Sequence, residues 1–146
     1  ETPGHTLDHV VYYSKKNKIL FSGDTLFRLG CGRIFEGSIE IMYKSLKKIE
    51  RIDNNTLVYC GHEYTLNNLS FLESIFPNHE ELSKIKEKII HQLHRSNSSI
   101  PFNLGEEKQL NPFLSTKSAF YETFKKNNNF NDFEMFSHIR KLKDDY

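Results

Sequence analysis

Apolar positions change their spacing near residue 65. Before that point they come in short runs of β-forming residues, Val10-Val11-Tyr12-Tyr13, Ile19-Leu20-Phe21-Ser22 and Leu57-Val58-Tyr59-Cys60. The polar stretch Lys15–Lys18 predicts a hairpin turn between the first two runs, and Gly23 and Gly61 end the second and third. Gly30, Gly32 and Gly37 make Leu26 to Gly37 a loop that turns tightly or approaches a ligand closely. One amphipathic helix interrupts this half, with Ile39, Met42, Tyr43, Leu46, Ile49 and Ile52 on its apolar side. Ser38 caps it and Asp53-Asn54-Asn55 stops it.

From Thr65 the spacing is helical throughout and no strand is expected. One helix runs to about Phe76 and stops at Pro77, and a second runs from about His79 to Arg95. Ser96–Ser99 is a loop, Leu104–Leu110 a short helix closed by Asn111-Pro112-Phe113, and Thr116–Lys126 another helix. Asn127–Asn129 breaks the pattern, and Asp132 caps a last helix through about Lys143. The boundary divides the chain into residues 1–65, which hold the strands, and residues 66–146, all helical.

The 146 residues suit one ordinary domain or two small subdomains, and a formal net charge of +1 gives no field to gather nucleic acid. No apolar run has the length of a membrane span. Two cysteines, Cys31 and Cys60, form no disulfide framework and point to a reducing compartment, the cytoplasm or an organelle such as the mitochondrial matrix. The chain opens on Glu1-Thr2-Pro3-Gly4-His5 without an initiator Met, and is expected to be the C-terminal part of a longer protein.

His5, Asp24 and His62 are the residues with the clearest chemistry. Each lies beside a glycine and next to a strand, where loops at one edge of a sheet converge. Imidazole and carboxylate suit zinc, manganese or iron, and a carboxylate can bridge two cations. From spacing alone, a capping Asp24, a loop His5 and a helix-start His62 are equally good readings. His9, four residues after His5, is expected to orient a ligand from behind. Cys31 and Cys60 are expected to be small buried apolar residues. His79 resembles a helix-start residue, and His91, His94 and His138 carry no assignment. Arg140 and Lys143 lie three apart and share a helix face that could hold a carboxylate. Taken by themselves they read better as a solvated basic helix end.

Six segments together resemble one family. They are Thr2-Pro3-Gly4-His5-Thr6, Gly23-Asp24-Thr25-Leu26-Phe27, Gly30–Gly37, Gly61-His62-Glu63-Tyr64-Thr65-Leu66-Asn67-Asn68, Asn111-Pro112-Phe113 and the Arg140/Lys143 pair. Their order is that of glyoxalase II, hydroxyacylglutathione hydrolase, of the metallo-β-lactamase superfamily. The resemblance implies an α+β fold, the second half of an αββα sandwich, followed by a helical substrate-binding domain. It implies two divalent metal ions in the complete protein, zinc or else iron or manganese, with His5 on one, His62 on the other and Asp24 bridging both. The family's other ligands come from a His-x-His-x-Asp-His motif, which this sequence does not contain. The resemblance also implies glutathione binding by Arg33, Phe35, Tyr64, Arg140 and Lys143. Arg33 stands where the family has Lys, and Phe35 where it has a Tyr hydroxyl, so one hydrogen bond is expected to be lost or replaced.

The implied reaction is hydrolysis of the thioester S-D-lactoylglutathione to glutathione and D-lactate, by a metal-bound hydroxide held at Asp24. The chain alone is expected to be inactive, and to fold poorly without the preceding half. That half and the glutathione thioester are its expected partners; nucleic acid and membrane are not. Two alternatives stay open. One is a metal-free remnant that binds glutathione conjugates or a partner protein. The other is an enzyme like the mononuclear-iron persulfide dioxygenases, against which the helical tail and the basic pair speak.

Overall fold

The computed structural model describes residues 1–146 as a mixed α/β chain with six helices. Strands β1 (Tyr12–Ser14), β2 (Ile19–Gly23), β5 (Leu57–Cys60) and β6 (Phe102–Asn103) form one sheet in the order β1-β2-β5-β6. Strands β3 (Leu26–Phe27) and β4 (Gly30–Cys31) form a separate two-stranded hairpin. The helices are α1 (Ile39–Glu50), α2 (Thr65–Ile75), α3 (Glu80–Ser96), α4 (Leu104–Leu110), α5 (Ala119–Asn128) and α6 (Asp132–Asp145). None is long and apolar enough to cross a membrane.

β2 pairs antiparallel with β1 and parallel with β5, with Leu20 opposite Val58 and Phe21 opposite Tyr59. A parallel pair needs a long crossover, and the hairpin and α1 supply it. Leu20 and Val58 point to one face of the sheet and are fully buried. They join Met42, Leu46 and Ile49 of α1 in a single apolar cluster that continues through Leu69, Leu72, Leu104, Met135 and Ile139 of the later helices. The opposite face is uncovered: Tyr12 is 71% exposed, Phe21 53% and Leu57 42%. Strand registers put Tyr12, Phe21 and Tyr59 side by side on that face. A half-wet antiparallel sheet carries polar residues outward, so this aromatic surface is the kind that another layer covers.

The helices follow local signals. Ser38 accepts the Ile41 N–H at the start of α1, and Ser118 caps α5 in the same way. The last helix is capped by Asn131, not by Asp132: Asn131 and Glu134 form a reciprocal capping box, which satisfies two backbone donors where Asp132 would satisfy one. Tyr43 of α1 meets Phe133 and Phe136 of α6 at 5.3 Å between ring centroids, so the two halves pack through aromatic contacts.

Two elements depart from the sequence expectation. The glycine-rich loop contains the β3–β4 hairpin, and a strand occurs after residue 65. That strand is β6, which pairs with β5 through Phe102 opposite Val58. These three strands, β3, β4 and β6, are two residues long, too short to show a period, and β6 exists because its partner edge is available.

Burial separates the two sides of β2. Leu20→Ala should destabilise the chain by about 2–5 kcal/mol. Phe21→Thr should cost about 1 kcal/mol or less, because half the ring is already in water. Urea denaturation of the two variants beside the parent checks the difference.

Candidate active site

β2 and β5 run in the same direction, so both leave the sheet at the same end. Asp24 follows β2 directly, and His62 stands one residue beyond Gly61 at the end of β5. The Gly61 N–H donates to the Gly23 carbonyl at 2.9 Å and locks the two exits together. A Cβ on Gly61 would come within 2.3 Å of Asp24 Oδ1, and one on Gly32 within 2.0 Å of the Asp24 carbonyl oxygen. Both glycines are there because the backbone passes so close to the aspartate.

The structure brings the three expected ligands together. His5 Nε2 lies 3.4 Å from Asp24 Oδ2, and His62 Nε2 lies 3.5 Å from the same oxygen. His5 Nδ1 donates to the Arg33 carbonyl at 2.9 Å. That bond fixes the tautomer and leaves Nε2 with a free lone pair facing Asp24. His9 stands behind: its Nε2 accepts the Asp24 N–H at 3.1 Å, and its Nδ1 lies 2.9 Å from Thr25 Oγ1. Burial, and then the neighbouring His5, lower the His9 pKa and keep the ring neutral, as an acceptor must be. These donors suit a divalent cation, yet no group of three or more His, Cys, Asp or Glu side chains in the chain is arranged to hold one unaided. Two imidazoles on one carboxylate oxygen are an incomplete donor set.

His62 is held in place by its neighbours. Glu63 accepts from the Ser99 N–H at 2.6 Å and from the Ser99 hydroxyl at 2.7 Å. Burial works against its charge, but hydrogen bonds from Thr65 and Ser99 outweigh that and keep its pKa low. Tyr64 stacks on the His62 ring at 5.0 Å and meets Phe27 edge-on at 5.3 Å.

Beside this cluster lies a cavity of about 480 Å³, bounded by Phe27, Cys31, Arg33, Tyr64, Asn67, Asn68, Arg140 and Lys143. Four of the five expected substrate contacts therefore share one pocket. Phe35 does not line it; the ring is 67% exposed and packs edge-on against His5 at 5.0 Å. Arg140 is not the solvated helix-end residue that its sequence position suggested. It is 4% exposed, with its guanidinium against Cys31 of β4. Its Nη1 donates to the Cys31 carbonyl at 3.3 Å and its Nη2 to Asp144 Oδ1 at 2.9 Å, while its Nε has no partner. Lys143 Nζ donates to Asn67 Oδ1 at 2.7 Å and sits over the Phe71 ring. Burial, and then Arg140, bring its pKa down to about 8. Cys31 and Cys60 are both free, and burial raises each thiol pKa, that of Cys60 to about 11. Neither is poised as a nucleophile.

Sequence reasoning missed Asp144. Its carboxylate takes Arg140 Nη2, and its carbonyl accepts from Arg33 Nη2 at 3.1 Å. The i,i+4 spacing from Arg140 was the available signal. A larger groove of about 590 Å³ lies between α3 and α4, far from this chemistry in its lining residues. Its cations are already paired, Lys84 with Glu81 and Lys88 with Glu106. The smaller cavity has aromatic and cationic lining and lies beside the His–Asp cluster.

Residues 63–146 match the family model described as hydroxyacylglutathione hydrolase C-terminus, and residues 1–62 match that of the metallo-beta-lactamase superfamily. The chain is 42% identical over 145 residues to the hydroxyacylglutathione hydrolase of Bartonella tribocorum, covering 99% of this chain and 57% of that protein. It is 40% identical over 146 residues to that of Aliivibrio fischeri MJ11, again covering 99% and 57%. The chain thus spans a little over half the length of these relatives. Among solved structures, a metallo-beta-lactamase from Staphylococcus aureus superposes with a TM-score of 0.50 at 21% identity, covering 97% of this chain and 37% of that one. The structure titled ETHE1 from Myxococcus xanthus also gives 0.50, at 23% identity, covering 97% and 50%. These two likenesses concern the fold. With its C-terminal helical half matched over 84 of 146 residues, counted inclusively from 63 to 146, the chain belongs to the hydroxyacylglutathione hydrolase family of the metallo-β-lactamase superfamily.

Proposed function

We propose that this chain is the substrate-binding part and one side of the metal centre of a hydroxyacylglutathione hydrolase. The observation that carries the reading is the junction itself: a His–Asp–His cluster lies beside a pocket lined by Tyr64, Arg140 and Lys143. The chain divides near residue 65, after which the two-residue β6 is the single strand. The remaining metal donors come from the part of the relatives that lies outside this chain. That part also covers the aromatic face around Tyr12 and Phe21.

His5 and His62 would hold one divalent cation each, zinc or else iron or manganese, with Asp24 between them. Such a pair would supply a hydroxide at neutral pH and polarise a thioester carbonyl. The chain's own side chains do the rest. His5 is aimed by the Arg33 carbonyl, and Asp24 is steadied through its N–H by His9. Lys143 and the positive charge of Arg140 attract the carboxylates of a glutathione thioester, the substrate class of S-D-lactoylglutathione. Tyr64, stacked on His62, connects that anchor to the reacting end. Phe35 offers no hydroxyl, so contact there is apolar. The match of residues 63–146 to the hydrolase family supports this reading over a mononuclear-iron enzyme. The free cysteines support a reducing compartment such as the cytoplasm.

In the complete protein, Asp24→Ala should remove metal and turnover together while leaving the fold intact. Metal analysis by plasma mass spectrometry, beside circular dichroism, checks this; full metal occupancy in that variant would refute the assignment. Lys143 gives the pH dependence its sign. Below about 8 it is an ammonium, and above that it is a neutral amine. Affinity for the anion S-methylglutathione should therefore fall as pH rises through about 8. Lys143→Met should bind more weakly and lose that step; calorimetric titration at several pH values measures both.

A further inference from the structure

The turn that joins β3 to β4 is gripped at every residue by side chains from the helical half. Asn111 Nδ2 donates to the Phe27 carbonyl at 3.3 Å and to the Gly30 carbonyl at 3.1 Å. Asn68 Nδ2 donates to the Arg28 carbonyl at 3.0 Å. The Leu29 N–H donates to Glu107 Oε2 at 2.8 Å, and that oxygen also accepts from Asn111 Nδ2 at 3.0 Å. Leu29 itself has a φ of 58°, a left-handed conformation that a leucine adopts only when its surroundings impose it. Glu107 is 1% exposed and Asn111 fully buried.

A buried carboxylate is a costly way to fill space, since an apolar side chain of similar volume would do so without desolvating a charge. Glu107 touches neither the cavity nor the His–Asp cluster. What it holds does: Phe27 forms a wall of the cavity and abuts Tyr64 and His62, and the Cys31 carbonyl takes Arg140 Nη1. A shift of this turn would move the aromatic wall and the seat of the arginine together.

We propose that Glu107, acting with Asn111 through the Leu29 turn, is a positioning residue that sets the shape of the substrate pocket. The inference rests on the hydrolase reading above. Burial raises the Glu107 pKa to about 7, against the lowering pull of the Leu29 and Asn111 hydrogen bonds and of the Arg28 charge.

The test uses the full-length protein with Glu107→Leu, which keeps apolar volume and removes the acceptor, and Glu107→Gln, which keeps a weaker one. KM and kcat for S-D-lactoylglutathione, metal content, and the Kd of S-methylglutathione are measured for each. Glu107→Leu should raise KM and Kd about tenfold, and Glu107→Gln about threefold, with kcat and metal content within about twofold of the parent. A role in stability alone would lower Tm without separating KM from kcat. Parental KM and Kd in both variants would overturn the proposal. Should the Leu variant not fold, the Gln variant decides on the same criterion. A parent protein that neither binds nor hydrolyses these compounds would overturn the hydrolase reading, and this proposal with it. A parent that does both, with unaffected variants, would overturn the positioning role alone.

Discussion

Parallel pairing of β2 with β5 is the constraint from which the site follows. Two parallel strands end at the same edge of a sheet, so residues beyond their ends become neighbours however far apart they lie in sequence. Asp24 and His62 are 38 positions apart by their numbering and still meet across 3.5 Å. Register is fixed by Leu20 and Val58, both buried on the α1 side. A slip of one residue would turn both toward the opposite face and expose the core, so burial of the sheet also specifies the site. His5 reaches the same oxygen from a loop, aimed by a backbone carbonyl that lies beyond the hairpin.

The helical half completes what the sheet begins. Helix α6 brings Arg140 under β4, and α2, which starts just after His62, brings Asn67 and Asn68 to the same cavity. The apolar cluster runs without a break from Leu20 to Ile139. Packing and hydrogen bonds to the hairpin join the cavity to the His–Asp cluster. Under the proposed function, such a frame would hold a substrate by one end while chemistry occurs at the other.

Much of this was legible from residue spacing. Helix α1, with Met42, Leu46 and Ile49 inward and Ser38 at its cap, follows its pattern closely. Strand β5 was visible as an apolar run ended by glycine. The two-residue strands were not, because hydrogen bonding to a partner defines them and no periodicity marks them. Asn131 rather than Asp132 caps α6 because Glu134 completes a reciprocal pair, a detail one position beyond what composition resolves. The order of the segments suggested glyoxalase II and so assembled His5, Asp24 and His62 before any distance was known. Burial of Arg140 was out of reach, since it depends on a contact with Cys31, 109 residues earlier in the chain. Glu107 gave no sign at all: a glutamate in the first turn of a short helix looks like a dipole partner, and only the turn beneath it shows otherwise.

The central claim is that this chain holds one side of a metal centre and the substrate pocket, and that residues outside it supply the other side. The direct measurement is bound metal and S-D-lactoylglutathione hydrolysis, made in parallel on this chain and on the full-length protein. The account predicts about two divalent ions per molecule and turnover in the full-length protein, with neither in the chain alone. A full-length protein that binds no metal and hydrolyses nothing would contradict it, and would leave the His–Asp–His cluster and its pocket as a binding surface without chemistry.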